Sequence, residues 1–115
     1  MTRFSISLRL ALLAGTLLFL STAQAAQIYG TLTENGQVVA GLEITVRCAD
    51  GSAFPATTND SSSYSVRVNT AGYCTFVVTN RPGEPSIEIY VYDQPSLYNF
   101  NLVQNQDGTY ALMQT

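Results

Sequence analysis

The side chains with chemistry to offer are few in kind. The 115-residue chain has two cysteines, seven tyrosines, eight carboxylates and no histidine. Its bases are Arg3, Arg9, Arg47, Arg67 and Arg81, and it has no lysine. Without histidine there is no Ser-His triad, no ordinary zinc site and no side chain that titrates unaided near neutral pH. Without lysine there is no Schiff base. Two carboxylates could still serve as acid and base, but they would have to lie within roughly 5–10 Å of each other. Asp50, Asp60, Asp93 and Asp107 all fall in turn-like stretches, where aspartate serves local hydrogen bonding, and nothing in their spacing brings two together. Calcium through Asp60 would need several oxygens, and few are clustered there. The expectation is no catalytic residue, no metal and no cofactor.

Two sets of side chains remain. Cys48 and Cys74 lack the spacing of a CxxC redox or metal site and read as one structural disulfide. Closing a loop of about 25 residues contributes on the order of 3–4 kcal/mol in the chain-entropy account. The second set is aromatic. Tyr90 and Tyr92 alternate with Ile89 and Val91, so their rings share the wet face of one strand. Beside Asn99 they could form a platform for a sugar or an extended peptide, because a tyrosine has an apolar ring and a polar tip. The competing reading is aromatic pairing across strands that only stabilises a sheet. Tyr29 and Tyr73 are expected to share an outward face elsewhere.

The segments that must position these residues begin after the first 25. Arg3 and Arg9, the apolar run Leu10–Leu20 and the small pair Ala23 and Ala25 follow the order of a secretory signal peptide. The cut is expected after Ala25, and the run is short for a span of ~20 residues. About 90 residues then form one domain, 26–115, with a net charge of about −5 from three arginines and eight acids. Such a chain has no electrostatic footprint for nucleic acid and no polybasic patch for lipid. An exported compartment also suits a disulfide. The expected location is the periplasm or the medium of a bacterium.

From Gln27 onward alternation dominates and no helical period is sustained. Apolar positions stay in phase through Ile28–Leu32, Leu42–Cys48, Tyr64–Val68, Cys74–Val78, Ile87–Val91, Tyr98–Leu102 and Tyr110–Leu112. Asn35-Gly36, Asp50-Gly51, Asn69–Gly72, Asn80–Pro85 and Asn105–Gly108 punctuate them as turns. Pro55 marks an edge strand, because it lacks a ladder donor. Cys48 and Cys74 both lie on inward faces, so their bridge joins either the two sheets or two neighbouring strands. The fold class expected is all-β: a two-sheet antiparallel sandwich of seven or eight short strands. With no room for crossover helices, parallel pairing is not expected.

Residues Gly36, Ala40, Gly41, Ile44 and Val46, then Thr58, Asp60, Tyr64, Gly72, Phe76 and Val78, carry a resemblance. Their order resembles that of carboxypeptidase regulatory-like domains, a prealbumin- or transthyretin-like group of β-sandwiches, over Ile28–Val78. Val38 stands where that group often has proline, Ser62 where it has glycine and Cys74 where it has an aromatic ring. Enzymes on such scaffolds, hydroxyisourate hydrolases and intradiol dioxygenases, use histidine, which this chain lacks. The resemblance implies a domain that stabilises, or mediates contact for, another protein or the envelope. The expected function is thus a non-catalytic binding or scaffolding module, monomeric or weakly homo-oligomeric, whose partner is a protein or a glycan. A carbohydrate-binding module using Tyr90, Tyr92 and Asn99 is the alternative, and pairing through an exposed edge strand is a third route to a partner.

Overall fold

The computed structural model describes residues 26–115 of the chain. The stretch expected to be a signal peptide, with its cut after Ala25, lies outside the described residues. Among the described residues no helix is long and apolar enough to cross a membrane.

Among the described residues nine strands follow in order: β1 (Ala26–Glu34), β2 (Glu43–Cys48), β3 (Ala53–Thr57), β4 (Ser63–Val68), β5 (Gly72–Val78), β6 (Ser86–Val91), β7 (Ser96–Leu97), β8 (Phe100–Gln104) and β9 (Tyr110–Gln114). One sheet runs β4-β1-β8-β9, with β7 also on β1; the other runs β3-β2-β5-β6. The in-phase residues of both sheets make one core, including Ile28, Leu32, Ile44, Val46, Val66, Val68, Phe76, Val91, Phe100 and Leu102. Phe76 of the second sheet meets Tyr64 and Phe100 of the first, with ring centres 5.3 and 4.5 Å away. Such pairs contribute about 0.5–1.5 kcal/mol each beyond the area they bury. Pro55 does sit on an edge strand, β3.

Two features depart from the expected pattern. Pairing is antiparallel except at β1, which runs parallel to β7 and β8. A parallel pair needs a long crossover. Here the chain makes it without a helix, passing through β2 and β3 of the second sheet, back through β4 of the first, and through β5 and β6 of the second before it reaches β7. The count of nine also exceeds eight, because Leu97–Gln104 is broken at Tyr98–Asn99. The break is seated on Gly30, where a Cβ would overlap the Tyr98 carbonyl oxygen and lie 2.7 Å from Asn99 Oδ1. Tyr98 N–H donates to the Tyr29 carbonyl at 2.9 Å. The next ladder position is filled by a side chain, with Thr31 N–H donating to Asn99 Oδ1 at 2.9 Å.

The disulfide joins Cys48 and Cys74. They are register partners on β2 and β5, so the bridge links neighbours in one sheet and not the two sheets. Cys48 N–H donates to Ser52 O, and Cys48 O accepts from Gly51 N, so its backbone groups face β3. The pair therefore belongs to the non-hydrogen-bonded class, which brings strands closest; the Cα atoms are 4.1 Å apart.

The serine run at 61–63 closes the turn into β4. Asn59 O accepts from Ser62 N at 3.0 Å, and Asn59 Oδ1 accepts from Ser61 and Ser63 N–H at 2.9 and 3.0 Å. Ser62 has φ 61°, the left-handed region that suits glycine. It is fully buried, and its hydroxyl accepts from Val39 N–H at 2.6 Å and donates to Val39 O at 3.2 Å. Buried Thr58 does the same work from the other side, accepting from Leu42 N–H at 3.0 Å and donating to Val39 O at 2.9 Å. A glycine would relieve the backbone but leave Val39 without that partner, so serine holds the β1–β2 connection in place.

Candidate functional site

The sandwich has two unlike ends. Connections β1–β2 and β3–β4 cross between the sheets at one end, where Thr31 pairs with Ser63. Connections β4–β5 and β6–β7 cross at the other, where Ala26 pairs with Val68 and Gly72 with Val91. At this second end an open cleft of about 520 Å³ is lined by Ala71, Tyr73, Tyr90, Tyr92, Asp93 and Gln94. Ala71 comes from the β4–β5 connection and Tyr92, Asp93 and Gln94 from the β6–β7 connection.

The three rings meet because of strand geometry. Tyr73 and Tyr90 are register partners on β5 and β6, with ring centres 4.9 Å apart at 89°. Tyr92 lies two residues beyond Tyr90, on the same side of the chain, at 4.7 Å and 53°. All three are exposed, Tyr73 at 62% and Tyr92 at 51%. The expected pair of Tyr73 with Tyr29 does not form. Tyr29 lies on β1 in the other sheet, and β5–β6 pairing delivers Tyr73 to Tyr90 instead.

Asn99 is not part of the cleft. Its Oδ1 accepts from both the N–H and the hydroxyl of Thr31, at 2.9 and 3.2 Å, and so completes the β1 ladder. Asn101 is used in the same way, accepting from the Thr33 hydroxyl at 2.8 Å and Gly36 N–H at 2.9 Å. The structure thus brings together Tyr90 and Tyr92, adds Tyr73 and Asp93, and leaves Asn99 as a structural residue of the first sheet.

Hydroxyl partners sort the seven tyrosines. Tyr64 donates to Tyr98 O at 2.7 Å, Tyr98 to Tyr90 O at 2.7 Å and Tyr110 to Glu34 Oε2 at 3.0 Å. Burial pushes the Tyr64 hydroxyl well above the usual tyrosine range, and the neighbouring Tyr98 adds to this. Donation to Glu34 is the main reason the Tyr110 hydroxyl is also raised. Among the described residues, the hydroxyls of Tyr29, Tyr73, Tyr90 and Tyr92 have no side-chain or backbone partner, and three of those four line the cleft.

The carboxylates divide similarly. Asp50 is held below the usual range, first by the Ser52 hydroxyl and then by Ser52 N–H, and Asp107 likewise by Thr109. Glu34 is clamped by Arg81, with Nε at 2.8 Å and Nη2 at 2.7 Å from Oε1, while Oε2 accepts from Tyr110. That half-buried trio ties β1 and β9 to the β5–β6 turn. Asp93 has neither a hydrogen-bonding nor an ionic partner among the described residues. No group of three or more histidine, cysteine or acidic residues suited to a metal ion occurs among the described residues.

No family model matches the chain. No curated protein is similar enough to match it. A solved DUF3823 family protein from Parabacteroides merdae is similar in structure, with a TM-score of 0.55 at 8% identity. What the two share is a β-rich fold. The match covers 80% of this chain and 47% of that one, so the chain spans about half the length of its structural neighbour.

Proposed function

We propose that the chain is an exported, non-catalytic binding module that meets its partner through the Tyr73–Tyr90–Tyr92 cleft. The observation that carries this reading is the sorting of tyrosines. Rings needed by the fold bury themselves or spend their hydroxyls inside it, whereas three exposed rings with free tips converge with an unpaired carboxylate in one open cleft. Rings that are apolar on the face and polar at the tip are suited to a half-wet contact surface. The cleft sets Tyr73 of β5 and Tyr90 of β6 against Ala71, Tyr92, Asp93 and Gln94 of two connections, and connections on a rigid scaffold are where binding residues usually lie.

The carboxypeptidase regulatory-like resemblance belongs to the same reading. Its positions Thr58, Ser62 and Tyr64 act in the frame, so the resemblance supports a scaffold with no active site of its own. A disulfide within a small domain is compatible with an extracellular or periplasmic setting. Partner binding by strand addition is less well supported. Pro55 blunts the β3 edge, and on β6 the Tyr90 carbonyl is already capped by Tyr98.

The test is a photo-crosslinking residue placed at Tyr92 in cells that make the protein. A discrete adduct is expected, competed by excess unlabelled protein but not by a Tyr73→Ala, Tyr90→Ala, Tyr92→Ala triple variant. An adduct competed equally by both would show that the cleft is not the contact surface. Turnover of an ester, amide or glycoside by the purified chain, abolished in Asp93→Asn, would show instead that it is an enzyme.

A further inference from the structure

The cleft's ring angles bear on what it holds. A platform for sugar stacking offers ring faces side by side in one plane. Tyr73 stands at 89° to Tyr90, and Tyr92 at 53° to it, so these rings form a corner rather than a floor. A corner presents ring faces from more than one direction, and each face carries the negative part of the ring quadrupole, which attracts cations. Asp93 adds a full negative charge to the same cleft. Glu88 lies two residues before Tyr90 on the exposed face of β6. Among the described residues no cationic side chain lines the cleft; Arg47 lines the adjoining hollow with Glu88.

We propose that the Tyr73–Tyr90–Tyr92–Asp93 cleft takes a cationic head group, namely the guanidinium of an arginine side chain on a protein partner. A guanidinium can lie flat on one ring while its edge forks onto a carboxylate, two contacts that a compact ammonium makes less well. The chain is acidic, with about five more carboxylates than arginines after residue 25, so a basic segment is also drawn to it at long range. This assignment rests on the reading of the cleft as the binding surface and adds the chemistry of the ligand.

The experiment is a titration of isotope-labelled protein, followed by amide NMR at constant ionic strength. The probes are a blocked Gly-Gly-Arg-Gly-Gly peptide, its citrulline counterpart and a linear hexasaccharide. Citrulline keeps the shape of arginine and removes the charge. The arginine peptide is expected to move the signals of Tyr73, Tyr90, Tyr92 and Asp93, and to bind at least tenfold more tightly than the citrulline peptide. Asp93→Asn and Tyr73→Ala should each weaken it severalfold while signals at the far end of the sandwich stay in place. Equal affinity for the citrulline peptide would overturn the proposal, as would binding unaffected by both substitutions. Saccharide binding at these residues without arginine binding would overturn the cation assignment and leave the cleft a binding surface. Silence from every probe would overturn the cation assignment. Coupled with a Tyr92 crosslink competed equally by the triple variant, it would remove the binding surface too.

Discussion

At the end of the sandwich that holds Val39, Thr58 and Ser62, polar side chains are turned into the frame. Thr58 and Ser62 bond the β1–β2 connection, Glu34 is shared by Arg81 and Tyr110, and Asn101 bonds Thr33 and Gly36. At the opposite end, Tyr73, Tyr90, Tyr92 and Asp93 have the same functional groups and leave them facing solvent. Both ends are made of sheet-to-sheet connections, so topology alone does not separate them. The difference is whether each polar group has a partner within the chain. A buried unsatisfied group costs about 1–3 kcal/mol, so the first end is fixed by folding, while the second is free to answer to something outside.

Substitutions can break this contrast or sharpen it. The largest effect belongs to the frame. Gly30→Ala drives a methyl into the Tyr98 carbonyl, and chemical denaturation should show a loss of about 3 kcal/mol or more. Next is the Ser62 position. Ser62→Ala keeps the left-handed strain and removes both hydroxyl bonds to Val39, for an expected loss of about 2 kcal/mol. Ser62→Gly loses the bonds but relieves the strain, so it should cost less than alanine by roughly 1 kcal/mol. If alanine and glycine are equal, the left-handed backbone is not strained at this position; if alanine costs nothing, the hydroxyl is not what holds the turn.

Tyr64→Phe should cost about 1–2 kcal/mol, because the Tyr98 carbonyl loses its donor. It also has a pH signature. The folded-state pKa of Tyr64 lies above the unfolded value of about 10. Its contribution to stability is therefore complete below pH ~10 and is lost as pH rises further, toward the folded value. Denaturation midpoints measured from pH 9 upward should fall less steeply in Tyr64→Phe than in the parent chain. The smallest stability effects should come from the cleft. Tyr73→Ala and Tyr92→Ala are each expected to cost no more than about 1 kcal/mol, the scale of a cross-strand aromatic pair, and to act on binding instead. Losses of several kcal/mol there would mean that the rings belong to the frame after all.

Much of the frame was legible in the chain. Alternation through Ile28–Leu32, Leu42–Cys48 and Tyr64–Val68 named the core, because the side-chain period of a strand leaves one face for burial. Asn35-Gly36 announced its turn, and the structure gives both residues positive φ, 50° and 78°. What alternation cannot show is which strand lies beside which. The parallel placement of β7 and β8 on β1, and the break at Asn99, depend on Gly30 admitting a carbonyl from a segment some 70 residues away. Asn99 therefore read as an outward polar residue, free to meet a ligand, when its partner is Thr31. The site was half legible for the same reason. Tyr90 and Tyr92 follow from one strand's alternation. Tyr73 requires the β5–β6 hairpin register, which the turn through Arg81–Pro85 sets, and Asp93 requires the crossing to β7.

The contrast between the two ends reduces to one experiment. Amide shifts are mapped as the blocked arginine pentapeptide is added to the intact protein, and the tyrosine sites are compared. Shifts confined to Tyr73, Tyr90, Tyr92 and the adjoining Asp93, with Tyr64 and Tyr110 unmoved, are the predicted result. Shifts that are absent from the cleft, or largest around Tyr64 and Tyr110, would contradict it.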